Sequence, residues 1–306
     1  MSGPAKPISQ SEVEALFEQV KNWGRWGPDD EKGALNFITP EKRLQAGALV
    51  KEGTTVSCSL PLATQPGPGN PVPVAHHMVR TGDAGGDSCS DYFAIAPHGM
   101  ANTHLDALCH YFYKGQMYNG YPASRITSEG ASVNSIEVAQ DGIVSRAVLL
   151  DIPRLKGLDR LEPGEAIYVD ELEAAEMSAN LKVEEGDILL VRTGRFAKPV
   201  TGGGWSPGSG LAGLHGTCIP WVHQRGVAAL GADGVNDVIP SGLEGSSSSF
   251  HLIAIPGIGL HLLDNCDLEL LAEACASRGR WEFMLVLAPL KLIRGTASPV
   301  NPIAVF

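Results

Sequence analysis

The chain has 306 residues, 43% hydrophobic and 19% charged, an ordinary globular balance that suits one large α/β domain or two closely packed ones. A formal net charge of −11, with acidic and basic residues interspersed and no Lys/Arg cluster, argues against nucleic acid and anionic membranes as partners; it says little about small substrates. Six scattered cysteines without a C-x-x-C pair read as free thiols, the N-terminus lacks the apolar core of a signal peptide, and the apolar stretch 250–263 is broken by Pro256, Gly257 and Gly259, so a cytoplasmic protein with no membrane span is expected.

Ser9-Gln-Ser-Glu12 has the form of a capping box, and Val13, Leu16, Phe17 and Val20 follow at helical spacing. This predicts an amphipathic helix inside an N-terminal arm, residues 1–36, that packs on a neighbour as readily as on its own domain. A turn rich in tryptophan follows at 23–30. Residues 63–90 hold four Pro and five Gly and are expected to be mostly loop. Short strands are expected at 146–151, 187–192 and 227–231, with a terminal strand at 282–288. Helices are expected at 170–180, capped by Asp170, and at 267–278, stopped by Gly279. With no repeat and no flexible linker, the chain reads as a single mixed α/β domain spanning 1–306.

Two patterns in the Gly-rich stretch 202–213 carry no chemistry. Gly204-Trp-Ser-Pro-Gly208 has the G-x-S-x-G spacing of a nucleophile elbow, but Pro207 lacks the N–H that an oxyanion hole needs there. Gly208-Ser-Gly-Leu-Ala-Gly213 matches G-x-G-x-x-G without the strand that should precede it. The stretch itself is a loop, either near a site or a surface excursion.

His98, His104, Asp106 and His110 form a different kind of cluster, because they fall within thirteen residues of a chain that has only nine histidines. On an extended strand His104 and Asp106 share a face, where an imidazole and a carboxylate can chelate Zn²⁺ or Mn²⁺. His110 lies too far along for the same straight element, so it is placed near the metal in a second role. Apolar neighbours (Leu105, Ala107, Leu108, Cys109) imply burial, which ionisable groups tolerate only with a ligand or mutual pairing. Cys109 points to the other face of a strand and reads as core. Downstream, His251 and Asp264 can converge on the same ion, although Asp264 taken alone reads better as the cap of the helix at 267. His76, His77, His215, His223 and His261 lack an acidic partner at useful spacing. Trp23, Trp26 and Phe93 suit an aromatic pocket or core anchors equally.

The run Thr103-His-Leu-Asp-Ala-Leu-Cys-His110 resembles the T-H-x-D-A-x-x-H core of the metal-dependent cyclase family of kynurenine formamidase-like and isatin hydrolase-like enzymes. Similarity extends to 26–36, 186–194, 232–237, His251 with Asp264-Asn265, and 295–302, and Tyr118-Asn-Gly120 points to a longer-chain branch. The resemblance implies a swivelling β/β/α fold, assembly into a homodimer or homotetramer, and metal-dependent hydrolysis of an amide, lactam or lactone in a small-molecule substrate. Carried over, His104 and Asp106 are metal ligands, Asp106 is able to bridge a second ion, His110 is the general acid/base, and His251 belongs to a second metal. Asp264 stands where relatives have glutamate, and Leu108 replaces a common proline. Met100 stands where they have a ligand histidine, a place that His98 fills if the strand bulges. One divalent ion is the expected cofactor. Two other functions use the same residues: a lyase or cyclase that abstracts a proton, and a metal-stabilised binding protein without turnover.

Overall fold

The apolar runs at 147–150 and 188–191 suit strands covered on both faces. The structure, a computed structural model, describes residues 5–197, 209–243, 246 and 248–306, so the elbow-like Gly204–Gly208 run lies outside the described residues. Nine strands form one mixed sheet: β1 (Thr55–Ser57), β2 (His104–Asp106), β3 (Ile143–Asp151), β4 (Ile188–Arg192), β5 (Ala229–Ala232), β6 (His261–Asp264), β7 (Glu282–Leu287), β8 (Ala297–Pro299) and β9 (Ile303–Val305). Their order is β1-β9-β7-β3-β4-β5-β6-β2-β8. The four central strands, β3 to β6, run parallel, and antiparallel strands flank them on both sides.

Side chains alternate along these strands, so two cores form. Val148, Leu150, Leu189, Leu230 and Leu262 face one side; Leu149, Leu190, Leu263 and Leu105 face the other. The first side is covered by α1 (Gln10–Val20), α3 (Val169–Ala179), α4 (Ile219–Gln224) and α5 (Ser249–Ile253), while α2 (Pro40–Ala48) lies over β3. The second side carries α6 (Glu269–Arg278). Parallel strands present their carboxyl ends together, and the segments after β4 and β5, with Asp264 at the end of β6, meet there, the usual place for a ligand site in such a sheet. Among the described residues no helix is long and apolar enough to cross a membrane.

The capping box forms as expected: Glu12 N–H donates to Ser9 Oγ, and Ser9 N–H donates to Glu12. The apolar stripe of α1 is used within its own chain, where Val13, Phe17 and Val20 are buried and Phe17 stacks on Tyr113 at 4.1 Å. Four local expectations are corrected. A two-stranded hairpin, Ala75–Arg80 with Ser90–Ala94, occupies part of the stretch read as loop; the prolines that argued against strands end at Pro73, before it starts. Its pairing brings Asp91 within 2.9 Å of His76, an acidic partner that linear spacing hid. Helix α3 begins at Val169, and Glu171 reaches back to the Tyr168 N–H, so Asp170 is not its cap. Helix α6 begins at Glu269 beside Asp267, which accepts from the Glu269 N–H; Asp264 is five residues away and serves elsewhere.

Candidate metal centre

Strand β2 contributes His104 and Asp106 to one face, with Leu105 turned into the opposite core. Antiparallel pairing sets Asp264 of β6 directly across from His104, so three polar groups share that face. His251 arrives from α5, and His110 follows a turn after β2.

Asp106 is the hub. Its Oδ1 lies 3.0 Å from His98 Nδ1 and 3.5 Å from His104 Nε2; its Oδ2 lies 3.4 Å from His251 Nε2 and 3.9 Å from His110 Nε2. Asp264 Oδ2 is 3.4 Å from His251 Nε2 and 4.0 Å from His104 Nε2. The close approach of His98 is not aligned as a hydrogen bond, and both Asp106 oxygens are buried without a hydrogen-bond partner. Burial pushes the Asp106 carboxyl upward, but the histidines around it, His251 and His98 foremost, outweigh burial and hold it well below the usual carboxylate range. His251 shows the converse: burial works against its cation, yet Asp264, Asp106 and Asp237 hold it well above the ordinary histidine value.

Such a cluster fits a divalent cation. Two ligand atoms on a tetrahedral zinc, each about 2.0–2.1 Å from it, stand about 3.4 Å apart. Several contacts around Asp106 and Asp264 have that spacing, too long for hydrogen bonds and short enough for a shared ion. Two overlapping triads meet the requirement, His104 with Asp106 and Asp264, and His98 with Asp106 and His110.

The second nitrogen of each inner histidine is held by the protein. His104 Nδ1–H donates to the Asn102 carbonyl at 2.9 Å, His251 Nδ1 faces Asp237 Oδ2 at 2.6 Å, and His98 Nε2 meets Thr296 Oγ1 at 3.0 Å. The other nitrogen is thereby aimed at the carboxylates. Linear reading missed Asn102, Thr296 and Asp237, as well as Asn236, whose Nδ2 donates to Asp264 Oδ1 at 2.7 Å. Asn236 and Asp237 had a signal, their place in the 232–237 motif, as Thr296 had in 295–302, but their partners lie far away in sequence, whereas Asn102 acts through its backbone carbonyl on His104 two residues on.

His98 reaches the centre by a different route from the expected bulge. It precedes β2 in a loop where Gly99 has φ +114°, a region closed to most side chains. Asn265 Nδ2 donates to the carbonyls of Gly99 and Asn102, and Arg195 Nη2 donates to that of Met100. These bonds fold the loop back, turning His98 inward while Met100 occupies the position read as the missing ligand.

His110 stacks on His98 with ring centroids 3.7 Å apart and is the more open of the two site groups flanking Asp106 Oδ2. Burial lowers its pKa to about 4, so its ring is neutral at pH 7 and able to accept a proton. Burial pushes the Cys109 thiol up to about 12, consistent with a core residue.

The remaining histidines serve elsewhere. His215 ties the arm down by donating its Nε2–H to the Lys6 carbonyl at 2.9 Å while its Nδ1 accepts from Thr217, and His223 meets Asn22 at 3.0 Å. His261 is fully buried with neither ring nitrogen hydrogen-bonded. The aromatic pocket suggested by Trp23, Trp26 and Phe93 does not form from them. Trp23 Nε1–H donates to the Pro256 carbonyl, Trp26 packs edge-on to Phe37, and Phe93 is exposed on the hairpin. Tyr111, 5.0 Å from the His251 ring, is the aromatic beside the centre.

A family model described as putative cyclase matches residues 38–236. No curated protein matches the chain. A solved structure described as a novel cyclase shares 33% identity, covering 95% of this chain and 99% of that one, with a TM-score of 0.85. Isatin hydrolase A from Ralstonia solanacearum shares 20% identity over 87% of this chain and 97% of its own, with a TM-score of 0.58. A structure described as a predicted metal-dependent hydrolase from Bacillus stearothermophilus shares 14% identity over 82% and 97%, with a TM-score of 0.52. The last two likenesses concern the fold.

Proposed function

Because the chain belongs to the putative cyclase family, we propose that it is a metal-dependent hydrolase that cleaves an amide, lactam or lactone bond of a small organic substrate. The observation that carries this reading is Asp106, buried with both oxygens free of hydrogen bonds between four imidazoles. Sharing a fold with proteins named as an isatin hydrolase and a metal-dependent hydrolase favours hydrolysis among the chemistries such a site supports.

In this reading His98, His104, Asp106, His251 and Asp264 hold a divalent ion, zinc or manganese. When bound, the ion lowers the pKa of water and polarises the substrate carbonyl. The chain's own work is to orient and to move a proton. Neutral His110 accepts the proton from water and returns it to the leaving amine or alkoxide. Its stacking on His98 fixes the ring plane for that transfer. No thiol competes as nucleophile here, since Cys109 is turned into the opposite core.

Replacing His98 by alanine should weaken zinc binding about tenfold or more, the range found when groups that support coordination are disturbed. Unchanged affinity by calorimetric titration would remove His98 from the ligand set.

Hydrolysis is separable from the proton-abstraction alternative by turnover of an amide, lactam and lactone panel in ¹⁸O-labelled water. One labelled oxygen in the new carboxylate is the expected result. Unlabelled product would assign a lyase or cyclase, and no turnover together with tight metal binding would favour the binding-protein alternative.

A homo-oligomer is proposed as well, though not through α1, whose apolar face is covered. Its support is the 75–94 hairpin, where Met78, Val79, Tyr92 and Phe93 are each at least half exposed, more apolar surface than a two-stranded ribbon sustains in water by itself. A cytoplasmic location is proposed on the six unpaired cysteines.

A further inference from the structure

A histidine ligates a cation through Nε2 only when that nitrogen carries no proton, so whatever bonds Nδ1 decides whether the ring is a ligand or a donor. At His251 that group is Asp237. The two side chains are buried, and Asp237 Oδ2 lies 2.6 Å from His251 Nδ1. The same carboxylate caps α5: Oδ1 accepts from the Phe250 N–H at 2.6 Å and the Ser249 hydroxyl at 3.2 Å, and Oδ2 also accepts from the His251 N–H at 3.3 Å. One group thus fixes both the short helix and the ring it carries.

The preceding residue repeats the device on the carboxylate side. Asn236 sits at φ +59°, and its Nδ2 donates to Asp264 Oδ1, leaving Oδ2 turned toward His251 and His104. Two consecutive residues of one loop therefore set a nitrogen and an oxygen of the same centre.

We propose that Asp237 is a positioning residue that holds His251 in the tautomer protonated at Nδ1, and so keeps Nε2 open to a divalent cation. This rests on the metal-site reading above. An acceptor-only carboxylate enforces that tautomer; an amide in its place reverses it. In Asp237→Asn the carbonyl oxygen is retained by the short bond from Phe250 N–H, which directs the amide NH2 at His251 Nδ1. That nitrogen must then accept, and the ring proton moves to Nε2, facing Asp106 and Asp264.

The test compares zinc affinity of wild type and Asp237→Asn by calorimetric titration of the metal-free proteins, with ring protons located by long-range ¹⁵N–¹H spectra at a pH alkaline enough to leave the His251 ring a single proton. Zinc binding about 10- to 100-fold weaker is expected, as for other partners that orient a ligand, with a metal-free melting temperature lowered about as much as in Ser249→Ala, since the amide NH2 no longer accepts from the His251 N–H, and with the His251 proton on Nε2. Ser249→Ala removes another bond to the same carboxylate without touching the ring, so it should lower stability and leave zinc affinity alone. In a His251→Ala background, Asp237→Asn should change zinc affinity no further. The proposal is overturned if Asp237→Asn binds zinc like wild type, if Ser249→Ala loses as much affinity, or if Asp237→Asn still acts without His251. Wild-type protein that takes up no zinc or manganese would instead sink the metal-dependent reading, and this inference with it.

Discussion

Asp106→Asn is expected to strip the protein of its metal and to lower turnover about a thousandfold or more. Every histidine of the centre approaches this one carboxylate, two at each oxygen. An amide offers one neutral oxygen and turns an N–H toward rings that need an anion between them. A bound ion contributes several kcal/mol of stabilisation to developing charge, and about 4 kcal/mol corresponds to a factor of about a thousand. Asparagine is nearly the same size as aspartate, so the fully buried position suffers no cavity, and loss of fold is not the expected cause. Metal content by elemental analysis and kcat on the same preparation check this together. Stoichiometric metal with wild-type turnover would remove Asp106 from the centre.

His110→Ala is expected to separate proton transfer from metal binding. Metal content should stay near that of wild type while kcat falls by roughly two to four orders of magnitude, the usual contribution of a positioned acid/base. The pH–rate profile should lose the limb that this group reports. His110 stands farthest from Asp106 of the four histidines, and unlike His104 and His251 it is partly open to solvent. Geometry does permit it to ligate, since it forms a triad with His98 and Asp106. Should the alanine variant come out metal-free, His110 is a ligand and the division of roles is wrong.

Much of this was legible in the chain itself because it is written in local chemistry. Ser9 and Glu12 announce α1, and apolar runs bounded by turns mark β3, β4 and β7 within a few residues. The H-x-D pair of β2 follows from strand alternation alone. What stayed hidden depends on contacts between distant segments. Asp264 reads as a helix cap until β6 pairs with β2 and sets it opposite His104. His98 reads as out of reach until Asn265 and Arg195 tie its loop from across the sheet. Asp237 is a polar residue in a recognisable motif, and only the arrival of α5 gives it a partner. The hairpin was obscured by glycines at its tip and prolines before its first strand, which a count over 63–90 lumps with the strands themselves. The arm's apolar stripe is visible in sequence, but whether it covers its own core or a neighbour's is a tertiary fact.

Metal-dependent hydrolysis at this centre requires a divalent cation among His98, His104, Asp106, His251 and Asp264. Elemental analysis of protein purified without chelator tests it most directly, followed by chelation and stepwise return of zinc or manganese. The expected result is one divalent ion per chain, loss of activity on chelation with the fold largely retained, and recovery as metal is restored. Near-zero metal in a preparation that still turns over substrate, or activity indifferent to chelation, would contradict it.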